Sequence, residues 1–235
     1  MDGPLNATFA NIFRMNEVKP YVLAVCGFSS NVGKTSLVCE LLKRLPGWEA
    51  IKLTRGHYRS CGKDPESCCV SDLLSDEAII RTGRKSNYES GKDTGRFWDA
   101  GASNVHWVIA TDSQVETGIK EALSRVRSPG VVVEGNSFLK FIDADLSLMC
   151  TRAEGGIIKS SARQSLERCD YIYLSALKPE DRSSRQSFAE FVERQTLKLP
   201  LKDKPILTFA SLPELIAGVT SDSKSVRQLI TPKVA

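Results

Sequence analysis

Residues 21–45 read YVLAVCGFSSNVGKTSLVCELLKRL, and this stretch decides the fold. Its first six residues form an unbroken run without the polar alternation of a strand that has one wet face. Such a run predicts a strand over 21–26, buried on both sides of a parallel sheet. The last twelve residues place Leu37, Val38, Leu41, Leu42 and Leu45 at helical spacing until Pro46-Gly47 stops the pattern. Between strand and helix lies Gly27-Phe28-Ser29-Ser30-Asn31-Val32-Gly33-Lys34-Thr35.

A Gly-Lys-Thr turn between a buried strand and an amphipathic helix suits one task well. In the pattern G-x-x-x-x-G-K-[ST], backbone N–H groups wrap around phosphates, and the helix N-terminus adds its partial positive charge beneath them. The match here is displaced, because Phe28 stands where the first glycine belongs and Gly27 lies one residue earlier. On this pattern the cradle comprises Gly27, Ser29, Ser30, Asn31, Val32, Gly33, Lys34, Thr35 and Ser36. Lys34 would reach the β- and γ-phosphates, and the Thr35 hydroxyl would bind Mg²⁺. A chance Gly-Lys-Thr in a tight turn is the plain alternative, and the flanking strand and helix argue against it.

Working outward, the apolar runs and helical periodicities alternate. Strands are expected over 50–54, 105–110, 130–133, 146–150, 171–174 and 206–209. Helices are expected after Thr111-x-x-Gln114, over 161–168, and after Ser183-x-x-Gln186 and Ser211-x-x-Glu214. The alternation implies an α/β fold of the P-loop NTPase kind, with a mainly parallel sheet and helices on both faces. A length of 235 residues suits one such domain over 1–235, with 55–102 as an insertion or lid loop, since that stretch is polar and Gly- and Ser-rich.

The chain is 41% hydrophobic and 26% charged, and its net charge of +4 is spread over 32 basic and 28 acidic residues. No basic arm marks a nucleic-acid partner, and no segment approaches the roughly 20 apolar residues of a membrane span. With no apolar leader at the start, the cytoplasm is the expected compartment. The seven cysteines are then reduced thiols rather than a disulfide framework.

Val131-Val132-Val133-Glu134-Gly135 is a buried strand ending in a carboxylate. At the C-terminal end of a parallel strand, Glu134 would face the ligand crevice and hold Mg²⁺ directly or through water, or else cap the next helix. Lys52, near the end of its strand, could neutralise a phosphate or carboxylate, or simply extend its stem along the sheet to water. Asp93 is either a second Mg²⁺ carboxylate or the N-cap of the helix TGRFWDAGA. Phe97 and Trp98 of that helix, and Trp107 in its strand, are expected to pack in the core. His57, Cys61, Cys68 and Cys69 gather soft ligands, but the spacing does not follow the C-x₂₋₄-C pairs of zinc sites.

The loop with its displaced glycine resembles that of dethiobiotin synthetase and the cobyrinic-acid amidases, members of the SIMIBI class. Three further stretches, Ile51-Lys52-Leu53-Thr54, Gly91-Lys92-Asp93-Thr94 and Val133-Glu134-Gly135, resemble the molybdopterin-guanine dinucleotide biosynthesis protein B family in order and spacing. That resemblance covers roughly the first 140 residues. It implies a compact NTPase that hydrolyses ATP or GTP with Mg²⁺, forms a homodimer, and acts beside a partner protein in molybdopterin-type cofactor biosynthesis. The sequence departs from that family in carrying one histidine, His57, after the second strand, and in its Cys-bearing loop. Two alternatives therefore stand: a metallochaperone GTPase that holds zinc or nickel on the Cys/His loop, and an ATP-dependent ligase similar to dethiobiotin synthetase. The base stays open, because Leu177-Lys178-Pro179-Glu180-Asp181 is only a distant echo of the guanine-binding Asn-Lys-x-Asp.

Overall fold

The computed structural model describes residues 19–56, 71–175, 182–194, 201 and 204–221. Among these residues eight strands form one sheet: β1 (Tyr21–Gly27), β2 (Glu49–Arg55), β3 (Ile79–Thr82), β4 (Val105–Ala110), β5 (Gly130–Glu134), β6 (Leu146–Thr151), β7 (Tyr171–Leu174) and β8 (Ile206–Leu207). Their order is β3-β4-β2-β5-β1-β6-β7-β8. Every pairing is parallel except that of β3 with β4. The antiparallel β3 lies within the polar stretch 55–102, where periodicity gave no strand. Its four residues are half-buried or exposed at the sheet edge, so no buried apolar run marks them.

Among the described residues, α-helices lie on both faces: α1 (Lys34–Arg44), α2 (Arg84–Asn87), α3 (Asp93–Asp99), α4 (Val115–Ser124), α5 (Ser160–Leu166), α6 (Arg182–Arg194) and α7 (Leu212–Ser221). Side chains alternate across a strand, and the two cores divide accordingly. On one face Leu23, Val25, Ala50 and Val132 pack against Leu37, Val38 and Leu41 of α1, Phe97 of α3 and Leu215 of α7. On the other, Ala24, Ile51, Val131 and Val133 meet Ile119 of α4, Ala162 and Leu166 of α5, and Phe188 and Phe191 of α6.

Several local expectations change in detail. At Thr111-x-x-Gln114 the reach-back bond forms, Gln114 Oε1 accepting the Thr111 N–H at 2.9 Å, while the Thr111 hydroxyl pairs with Ser113 at 3.1 Å. The last strand stops at Leu207, because Thr208 opens a 3₁₀ turn over Phe209–Ser211 with a capping box of its own. Phe97 is fully buried, whereas Trp98 and Trp107 are only half-buried. Trp107 keeps its indole N–H on Thr54 Oγ1 at 2.8 Å and lies under the Arg81 guanidinium, 5.5 Å from the ring centroid. Half-buried on an interior strand, the ring keeps its polar nitrogen paired with the neighbouring strand β2. Cys26, Cys39, Cys150 and Cys169 are buried free thiols and pack as small apolar side chains.

Candidate functional site

The loop after β1 is shaped by two positions. Asn31 adopts φ 60° and Gly33 φ 90°, a left-handed region that Asn tolerates and glycine occupies freely. A Cβ on Gly33 would also lie 2.7 Å from Ser175 Cβ, so only glycine fits that bend. The turn delivers the chain into α1, which begins without a side-chain cap. The first N–H groups of a helix have no partner within it, so they present their positive ends at the loop. Lys34 folds back over the bend, and its ammonium donates to the Ser29 carbonyl at 2.9 Å. A Cβ on Gly27 would meet the Lys34 side chain at 2.8 Å, which gives that glycine its steric reason.

Phe28 occupies the position of the missing first glycine because it serves the core. It is 1% exposed and packs against Phe191, ring centroids 6.3 Å apart. Its N–H donates to the Cys150 carbonyl at 3.0 Å, and its carbonyl accepts the Lys159 N–H at 2.9 Å. The loop is thus bolted at its root.

Opposite the loop stand two carboxylates. Lys52 of β2 and Glu134 of β5 are direct register partners in parallel strands, so their side chains leave the same face of the sheet. That face carries α1 and α3, which bring Thr35 and Asp93. The Thr35 hydroxyl lies 2.9 Å from Asp93 Oδ1 and 3.0 Å from Glu134 Oε2. The Lys52 ammonium donates to the remaining oxygens, Asp93 Oδ2 at 2.5 Å and Glu134 Oε1 at 2.6 Å. Burial alone would push the Lys52 ammonium down. The charges of Glu134 and Asp93 and the hydrogen bonds to both outweigh burial and hold it above the ordinary lysine value. Burial likewise works against ionised Asp93, yet the Lys52 charge and the bonds from Lys52 and Thr35 hold it below the ordinary carboxylate value.

Two carboxylates and a hydroxyl are hard oxygen donors, and Mg²⁺ characteristically takes one or two protein carboxylates and completes its shell with water and phosphate. The donor set therefore fits that ion. Among the described residues, no group of three or more His, Cys, Asp or Glu side chains could hold a metal. His57, Cys61, Cys68 and Cys69 lie outside the described residues, as does the stretch 177–181.

The other sequence-predicted residues fall as follows. Ser29, Ser30 and Asn31 form the outer turn, Val32 is buried at 3% exposure, and Ser36 accepts a bond from Arg96 at 3.2 Å. Asp93 is the first residue of α3 rather than its cap, a position held by Lys92. Four residues that no motif singled out touch the loop. Asn136 clamps Gly27, its Oδ1 accepting the N–H at 2.8 Å and its Nδ2 donating to the carbonyl at 2.9 Å. Ser175 donates to the Val32 carbonyl at 2.8 Å. Arg152 donates to the Asn31 carbonyl at 3.0 Å, and Lys159 to Ser30 Oγ at 2.8 Å. Only Asn136 carried a signal, since it follows Glu134-Gly135 directly.

Strand order, bent loop and following helix are together those of an α/β P-loop NTPase fold with a mainly parallel sheet. No protein-family profile matches the sequence, and no curated protein matches it either. Solved structures with a related outline include LpxK from Aquifex aeolicus in complex with ATP, 17% identical, covering 80% of this chain and 53% of that one, with a TM-score of 0.45. The signal recognition particle receptor FtsY from Elizabethkingia anophelis is 11% identical, with coverage of 80% and 57% and a TM-score of 0.39. A Zn(II)-bound triple mutant of the YjiA GTPase has the same identity, coverages and TM-score. The chain spans just over half the length of these structures, and its fold class rests on its own topology.

Proposed function

We propose that the chain binds a nucleoside triphosphate with Mg²⁺ and cleaves its γ-phosphoryl bond. One observation carries this reading: at the foot of the Gly27 to Thr35 bend, the Thr35 hydroxyl stands within hydrogen-bond distance of two carboxylates from separate elements. The loop amides and the α1 N-terminus would hold the phosphates, and Lys34 would exchange the neutral Ser29 carbonyl for the anionic β- and γ-oxygens, so that both partners of the bond are charged. Thr35, Asp93 and Glu134 would hold Mg²⁺, which when bound neutralises charge developing on the transferred phosphoryl group. Glu134, 1% exposed, would also orient the attacking nucleophile. Arg152 and Lys159 add positive charge on the far side of the loop.

A place in molybdopterin-type cofactor biosynthesis, as a homodimer beside a partner protein, is the finer reading. It is supported by convergence, because Lys52, Asp93 and Glu134 come from the three stretches that resemble the molybdopterin family, and they meet at one point. Calorimetric titration of ATP and of GTP with Mg²⁺ tests binding and base choice together. Lys34→Ala should weaken the preferred nucleotide about 100-fold, the scale of a lost charge-assisted contact. Unchanged affinity in that variant would overturn the phosphate-site reading.

A further inference from the structure

Asp93 and Glu134 each offer two oxygens, and the structure divides them strictly. One oxygen of each faces the Thr35 hydroxyl, and the other faces the Lys52 ammonium. The cluster of two carboxylates and one ammonium therefore carries a net charge of −1. Glu134 is 1% exposed at its side chain and Lys52 16%, so water screens these charges poorly. Further positive charge stands close by. Lys34 is held on the neighbouring loop, and Arg96, on the same helix as Asp93, reaches Ser36.

A divalent ion at Thr35 would thus meet a single net negative charge, set against the field of Lys34 and Arg96. A triphosphate reverses that balance by bringing several negative charges of its own. We propose that Lys52 is a built-in counter-cation, which neutralises the Asp93 and Glu134 pair so that a divalent ion enters only together with the phosphate chain. The ammonium suits the task physically. It is a compact charge on a flexible four-carbon stem with three donors, so it can bridge both carboxylates or turn toward an incoming phosphate oxygen. The register pairing of Lys52 with Glu134 makes the neutralisation a property of the sheet itself.

The part of the proposal that concerns nucleotide rests on the function proposed above; the part that concerns metal alone does not. The test uses the full chain without nucleotide, titrated with Mn²⁺ and followed by electron paramagnetic resonance of the free ion. Wild type should bind Mn²⁺ only weakly. Lys52→Met and Lys52→Gln should each bind it at least tenfold more tightly, while Lys52→Arg should stay near wild type. Adding Glu134→Gln to Lys52→Met should abolish the gain. Lys52→Gln retains a hydrogen-bond donor, so it decides the matter if the Met variant melts too low to titrate. Wild type that binds Mn²⁺ as tightly as a neutral variant would overturn the proposal, whichever variants fold. Repeating the wild-type titration with a non-hydrolysable triphosphate should raise Mn²⁺ affinity at least tenfold. A chain that ignores the triphosphate while the Lys52 variants still gain Mn²⁺ would refute the nucleotide reading and leave the counter-cation in place.

Discussion

Strand β2 carries two buried ionic clusters three residues apart, and they are built on opposite principles. At its start Glu49, 3% exposed, is saturated by rigid partners. Its Oε1 accepts the N–H groups of Arg127 and Ser128 at 2.7 and 2.9 Å, and its Oε2 lies 2.7 Å from Nε2 of the fully buried His106. The other ring nitrogen of His106 meets Thr82 Oγ1 at 3.0 Å. Further along, Lys52 leaves the opposite face, toward α1 and α3. There one hydroxyl proton serves two acceptors, the cations sit on long stems, and Asp93 is 40% exposed at its side chain. The first cluster has main-chain donors that cannot leave, so it locks β2, β3, β4 and the turn before β5 together. Every partner in the second is a side chain, and in the proposed function a ligand takes the place of some of them. Burial of charge alone does not mark a functional site; replaceable partners do.

Breaking the first cluster should have the largest effect. Glu49→Ala leaves the buried His106 and the amides of Arg127 and Ser128 without their acceptor, and removal of one member of a buried pair costs about 3–5 kcal/mol of stability. Chemical denaturation would show this, and a loss below about 1 kcal/mol would mean that the cluster is no lock.

Glu134→Gln comes next and should act on chemistry rather than on folding. Nucleotide affinity should stay within a few-fold of wild type while turnover drops about 100-fold, equivalent to ~2.7 kcal/mol of barrier. Single-turnover hydrolysis beside calorimetry separates the two. A wild-type rate would reduce Glu134 to a structural carboxylate.

The smallest effect sharpens the comparison through pH. Burial alone would raise Glu49, but His106 and the amides of Arg127 and Ser128 outweigh it and hold the carboxylate below the ordinary glutamate value of 4.5. A group depressed in the folded state contributes stability that is complete above its unfolded value and is lost as pH falls through its folded value. The stability gap between wild type and Glu49→Gln should therefore be full at neutral pH and shrink below about pH 4.5. A gap that is constant down to pH 3 would show that ionisation of Glu49 contributes nothing.

How far the sequence reaches follows from the range of each signal. The buried run 21–26, the Gly-Lys-Thr turn and the helical leucines from Leu37 to Leu45 are local patterns, and strand, bend and α1 were legible in them. The buried run of β5 was legible too, and with it Glu134 at a strand end. The antiparallel β3 was not, because an edge strand has no buried run to announce it. Asp93 was read as a possible cap or a possible ligand, since both uses look alike in one dimension. Glu49 and His106 gave no sign at all, for their pairing depends on which strands adjoin β2.

By itself, the sequence determined the alternation of strands and helices outside 55–102 and the bent loop, because hydrophobic periodicity and glycine stereochemistry act over a few residues. Only the tertiary structure decided that Lys52, Asp93, Glu134 and Thr35 share one point, since that depends on the register of β2 against β5 and on the seating of α3 beside α1. Those long-range choices are set by how two apolar cores pack on the two faces of a sheet, and no stretch of chain contains them alone.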